Sequence, residues 1–206
     1  PQAPGEYVYH NRAQWPFVTA YAVRAAARVR HVAAVDRGLS ALERAAALHL
    51  SNIENLEWLT GKAQFDDGPE INSRRQLWSV GAYYGMVVET IFGWQAGADG
   101  VRIAPTLTSA TRDRFPGTDA VLSNLSFAGR KLDIALILPP KAAAGALYPV
   151  ASVHLNGAPV TGLITATQLS DGVNRVEVRF GPAQPSASTV TDIPLIDAVS
   201  HAEPRA

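Results

Sequence analysis

Hydrophobic positions recur along this chain with two different periods, and the change falls near residues 97–100. Before it, Phe17, Val18, Tyr21, Ala22, Ala25, Ala26 and Val29 keep the spacing of one helix face through about Arg30. Trp15-Pro16 opens that pattern, with proline at an early helical position where its missing N–H costs little. A second helix follows, with Asp36 as expected N-cap and Leu39, Leu42, Ala46 and Leu50 at helical spacing to about Ser51. The short link between the two predicts an antiparallel helical hairpin. A third helix, capped by Asn72 or Ser73, carries Leu77, Trp78, Gly81, Tyr83, Tyr84, Val87, Val88 and Ile91 to a stop at Gly93. Its apolar residues go nearly all the way round, which predicts burial on most sides. Three such helices cannot cover one another, so they are expected to belong to a larger helical array whose other members lie outside the chain.

After residue 100 the period becomes two, and turn residues punctuate it. Strands are predicted over 100–105, 121–127 and 131–138, the last two joined by Ala128-Gly129-Arg130. A strand over 150–155 precedes Asn156-Gly157, a strong two-residue hairpin signal, and one over 162–169 precedes Ser170-Asp171-Gly172. Residues 173–180 alternate apolar and polar, as in a half-buried antiparallel strand, and a Pro/Ser/Ala-rich tail follows from Gly181. The two parts, 1–98 and 99–206, are thus expected to be helical and an antiparallel β-sandwich respectively.

With 47% hydrophobic residues among 206, the chain can bury a sizeable core. Lys plus Arg and Asp plus Glu both number 18, so no basic surplus exists to grip a phosphate backbone, and nucleic acid is not an expected partner. No apolar run approaches the roughly 18 residues of a membrane span, and no charged-then-apolar leader opens the sequence. A periplasmic or secreted location is slightly favoured over a cytoplasmic one. The absence of cysteine excludes disulfides, thiol catalysis and Cys-ligated zinc. His31, His154 and His201 do not form a metal-ligand spacing, and Asp66-Asp67-Gly68 lacks a full calcium-loop pattern, so no metal or other cofactor is expected. Pro1-Gln2-Ala3-Pro4-Gly5 is no initiator sequence, which predicts a piece of something longer.

The chemistry concentrates in Asn52-Ile53-Glu54-Asn55-Leu56-Glu57-Trp58-Leu59-Thr60-Gly61 and in Phe65-Asp66-Asp67-Gly68-Pro69-Glu70. Carboxylates, a tryptophan and a glycine turn share a polar loop between two apolar helical patterns, where packing does not explain them.

Glu54-Asn55-Leu56-Glu57-Trp58-Leu59-Thr60-Gly61, followed by Leu77-Trp78-Ser79-Val80-Gly81-Ala82, resembles the glucoamylase-like and processing α-glucosidase-like hydrolases. Tyr9-His10-Asn11-Arg12-Ala13-Gln14-Trp15-Pro16 is similar to the segment that enters their preceding helical hairpin, and Gly100-Val101-Arg102-Ile103-Ala104-Pro105 to their exit into a C-terminal β domain. α-L-rhamnosidase-like and debranching-type hydrolases fit nearly as well. The resemblance implies the last helices of an (α/α)6 six-hairpin barrel, followed by an antiparallel β-sandwich. It also implies an inverting glycoside hydrolase in which Glu54 is the general base. The general acid would then lie on the remaining N-terminal part of the enzyme, in the same chain or another.

Inverting hydrolysis places two carboxyl groups about 6.5–9.5 Å apart, so they come from separate segments, and Glu57 is expected instead to hydrogen-bond sugar hydroxyls or its neighbour Glu54. Sugars offer apolar C–H faces and hydroxyls. Trp15, Trp58 and Trp78 are candidate platforms, and Tyr9, His10, Asn11, Arg75 and Gln76 candidate polar contacts. Two other readings stay open. One is a carbohydrate-binding or structural module without catalysis. The other is a polysaccharide lyase, for which Tyr9 and His10 supply the residue types. The β part would cap the barrel end or mediate contacts in a homo-oligomer.

Overall fold

The computed structural model describes residues 13–57, 61–63 and 72–186. Strand β1 (Ala13–Gln14) leads into helices α1 (Pro16–Arg28) and α2 (Val32–His49), and β2 (Leu56–Glu57) pairs back on β1. Helix α3 (Leu77–Gly85) continues as a π-helical turn (Met86–Ile91). Then come β3 (Trp94–Ala96), β4 (Val101–Ile103), β5 (Leu107–Thr108), α4 (Ser109–Asp113), β6 (Asp119–Phe127), β7 (Arg130–Ile137) and β8 (Ala146–Tyr148). The remaining elements are β9 (Val150–Leu155), β10 (Ala158–Pro159), a 3-10 turn (Ala166–Gln168), β11 (Val173–Phe180) and β12 (Gln184–Pro185). Among the described residues no helix is long and apolar enough to cross a membrane.

α1 and α2 form the expected hairpin, turning where Arg30 takes a left-handed φ of 56°. Small residues let them approach closely: a Cβ on Gly38 would lie 2.2 Å from Val23 Cγ2. Two helix starts differ from expectation. His31, not Asp36, caps α2, its Nδ1 accepting from Ala34 N at 3.3 Å, because the burial of Val32 and Val35 extends the helix backward. Asp36 lies inside the helix and accepts a hydrogen bond from Thr108 Oγ1 at 2.6 Å. α3 begins at Leu77, since Asn72 and Ser73 are engaged elsewhere and Gln76 Oε1 accepts from Leu77 N at 3.0 Å.

The barrel expectation is overturned. The described residues hold four helices of 5 to 18 residues, and most other elements are strands. Among the described residues there is no helical barrel. α2 docks on the β elements: Arg114 donates to Ser40 Oγ at 3.0 Å and pairs with Glu43 at 2.8 Å, beside the Asp36–Thr108 bond. Those contacts occupy a helix side that a ring of further helices would need.

The architecture is α+β with several sheets. The largest has the order β10-β9-β11-β7-β6, with a three-stranded sheet β12-β8-β5 and a two-stranded sheet β3-β4. Purely antiparallel pairing is also overturned, because β11 runs antiparallel to β9 but parallel to β7. Both expected tight turns form, with left-handed Ala128 and Gly129 (φ 50° and 74°) and Asn156 and Gly157 (φ 50° and 86°). The strand expected over 162–169 is mostly replaced by the 3-10 turn, whose Thr165–Gln168 capping box satisfies the backbone locally. One cluster of buried side chains joins these three sheets, though not the β1–β2 pair, through Ile103, Leu107, Ile134, Tyr148 and Val176, to Val88 and Ile91 of the π-helical turn.

Candidate functional site

Residues 51–55 lie against 72–79 in an antiparallel clasp. Ser51 Oγ donates to Arg74 O at 2.8 Å, Gln76 N to Asn52 O at 2.7 Å, and Ser79 Oγ to Ile53 O at 2.7 Å. Glu54 N donates to Ser73 O at 2.9 Å, and Ser73 N returns a 2.6 Å bond to Glu54 Oε2. The stretch is therefore not the solvated loop that its polarity suggests. Glu54 is 5% exposed and Asn55 fully buried, because Ile53 and Leu56 insert into the helical unit beside Ala45.

Glu57 sits in β2 opposite Ala13, its N–H donating to Lys62 O and its carbonyl accepting from Gly61 N, both at 2.7 Å. His49 Nε2 lies 3.0 Å from Gly61 O and holds the same turn. The β1–β2 pairing also brings Trp15, which follows β1, beside the Glu54 segment. Trp15 meets Trp78 edge-on at 5.9 Å between centroids, and Phe17 stacks on Trp78 at 4.9 Å. Trp78 remains 43% exposed while Trp15 and Phe17 are half-buried, so of these rings Trp78 offers the most open surface. Arg75 is exposed next to it, whereas Gln76 spends its carbonyl on capping α3.

The structure thus brings Glu54, Glu57, Trp15, Arg75, Gln76 and Trp78 to one end of the helical unit. Tyr9, His10, Asn11, Trp58, Asp66, Asp67 and His201 lie outside the described residues.

The pattern reading missed a buried asparagine pair. Asn55 Nδ2 donates to Asn72 Oδ1 at 2.6 Å, but Asn55 Oδ1 and Asn72 Nδ2 are buried without a partner among the described residues. Two asparagines flanking the loop were the only signal, and asparagine is common in loops for its turn chemistry alone.

No protein-family model matches the chain, and no curated protein matches it. With no barrel among the described residues either, the resemblance to glucoamylase-like and processing α-glucosidase-like hydrolases does not stand, and the short motifs that carried it are local similarities.

Proposed function

We propose that the clasped end of the helical unit is the carbohydrate site of a glycoside hydrolase, with Glu54 as general base. The observation behind this reading is a buried carboxylate held by the Ser73 N–H, in a segment hydrogen-bonded to Gln76 and Ser79 at the start of the helix that carries the partly open Trp78. Its rigid setting suits a group that must keep one geometry. In inverting hydrolysis such a carboxylate takes a proton from water while the water oxygen bonds to the anomeric carbon. A carboxylic acid on the opposite side protonates the leaving oxygen as the glycosidic bond breaks. That acid belongs to a segment outside the described residues. Trp78 offers a ring face for sugar C–H groups, and Arg75 donors for hydroxyls.

A non-catalytic carbohydrate-binding role is the second reading. The reciprocal Glu54–Ser73 bonds favour it, since they already give this residue a structural task.

Glu54→Gln separates the two, because the amide oxygen still accepts from Ser73 N while the base is lost. Turnover of a panel of neutral oligosaccharides, with the product anomer read by NMR, should fall by about a thousandfold. Sugar binding and melting temperature should hold. Unchanged turnover removes Glu54 from catalysis. Saturable sugar binding lost in Trp78→Ala, with no hydrolysis by the unsubstituted protein, would establish the binding role instead.

A further inference from the structure

At the other end of α1 from Glu54, the helix, the π-helical turn, the residues after β4 and those around Pro149 enclose a cleft of about 810 Å³. Three arginines of α1 and its exit, Arg24, Arg28 and Arg30, line it against one carboxylate, Glu89. Arg24 is committed: it pairs with Glu89 and lies over the Tyr21 ring, 4.5 Å from the centroid. Arg28 and Arg30 are exposed, and among the described residues neither guanidinium has a hydrogen-bond or ion-pair partner. A cation near a helix C-terminus is explained in part by the helix dipole, so Arg28 alone would not make a site.

Thr90 adds an independent observation. It lines the same cleft, is 3% exposed, and its hydroxyl has no hydrogen-bond partner among the described residues. Buried hydroxyls are nearly always bonded, and a helical threonine ordinarily reaches a carbonyl one turn back. Thr90 sits in the π-helical turn, where the backbone register departs from the α-helix, and such turns are frequent at functional sites. Tyr148, also in the lining, has its hydroxyl committed to Pro140 O at 2.9 Å.

We infer that this cleft binds a small polar molecule bearing an oxyanion, a phosphate monoester or a carboxylate. Arg28 and Arg30 hold the anionic group, since guanidinium donors form paired bonds to such oxygens. Thr90 Oγ1 bonds a hydroxyl elsewhere on the same molecule. The inference does not depend on the role of Glu54.

Calorimetric titration of the 206-residue chain with inorganic phosphate, glucose 6-phosphate, glucuronate and glucose tests it. One charged sugar should bind saturably, more tightly than glucose, and more weakly as salt rises. Preference for glucose 6-phosphate identifies the oxyanion as a phosphate, and preference for glucuronate as a carboxylate. The R28A/R30A double variant should weaken that binding by about tenfold or more with its melting temperature unchanged. Thr90→Val should weaken the charged sugar but not inorganic phosphate. The inference is overturned if neither charged sugar binds saturably, or if the double variant binds as the unsubstituted chain does. Wild-type affinity for the charged sugar in Thr90→Val overturns it as well, since the proposed binding mode requires the Thr90 hydroxyl.

Discussion

Among the described residues, one contiguous cluster in the β elements gathers Leu132, Ile134 and Leu136 of β7 with Val176 and Val178 of β11, whereas the helical unit divides its buried residues among three small clusters. The helical clusters are built on Ala20, Ala26, Ala45 and Ala82 with a few valines and leucines. Val18, Tyr21, Leu77 and Tyr84 meanwhile stand more than half exposed. Small side chains allow close helix approach but remove little apolar area from water. The carbohydrate site proposed at Glu54 is on this less consolidated part, while the β elements supply a frame to which the π-helical turn is welded through Val88 and Ile91.

Matched truncations test that contrast most strongly. Ile134 and Leu39 are both fully buried. Ile134→Ala should cost about 4 kcal/mol in urea unfolding, because β6 and β11 hold the walls of the cavity on both sides of β7. Leu39→Ala should cost roughly 3 kcal/mol, since half-buried Ala34 and Met86 can settle into the space. Equal losses, or the reverse order, would break the contrast.

Two buried asparagine systems sharpen it at smaller scale. Asn174 in β11 is fully satisfied: its oxygen accepts from Ser170 N and Asn156 Nδ2, both at 2.9 Å, and its amide donates to Lys131 O and Ser170 O at 3.1 Å. Asn55 and Asn72 share one bond and leave two polar atoms unmatched among the described residues. Asn174→Ala should therefore destabilise by about 2–3 kcal/mol, and Asn55→Ala by only about 1 kcal/mol, since the pair already bears part of its desolvation cost. Thermal melts of both variants read the difference. A larger loss in Asn55→Ala would mean that the clasp, not the β11 hub, is the better-satisfied network.

How much of this was legible in the sequence depends on whether the deciding contacts are local. Trp15-Pro16 marked the start of α1, and Ala128-Gly129 and Asn156-Gly157 marked their turns, because each acts through its own backbone. The alternation in 173–180 located β11 and its inward face, but period two carries no strand direction, so the parallel partner β7 was invisible. The cap of α2 moved to His31 because burial of Val32 and Val35, a tertiary fact, outweighed the capping preference of Asp36. At the site, residue types pointed to Glu54 and Trp78. The clasp that buries Glu54 against Ser73 joins segments 19 positions apart and left no periodic trace. The same holds for the barrel: motifs a few residues long say nothing about how many helices surround them.

The smallest expected effect concerns two tyrosines, one in each part. Burial raises both the Tyr148 and Tyr83 phenols above their ordinary value of about 10. At Tyr148 the Arg112 guanidinium opposes the rise and the Asp113 carboxylate reinforces it. A raised folded-state pKa means the unfolded chain loses its proton first. The stabilisation is thus fully present below the unfolded value and is lost as pH climbs through the folded one. Near neutrality, Tyr148→Phe should cost about 1 kcal/mol for the lost bond to Pro140 O. Above pH of about 10 the gap between the two proteins should narrow and then reverse, because only the tyrosine form carries the alkaline penalty. Tyr83 is present in both proteins and its own alkaline loss cancels from the difference. Urea unfolding of the pair across that range isolates Tyr148, and a gap independent of pH would place its hydroxyl in a far wetter setting than 2% exposure describes.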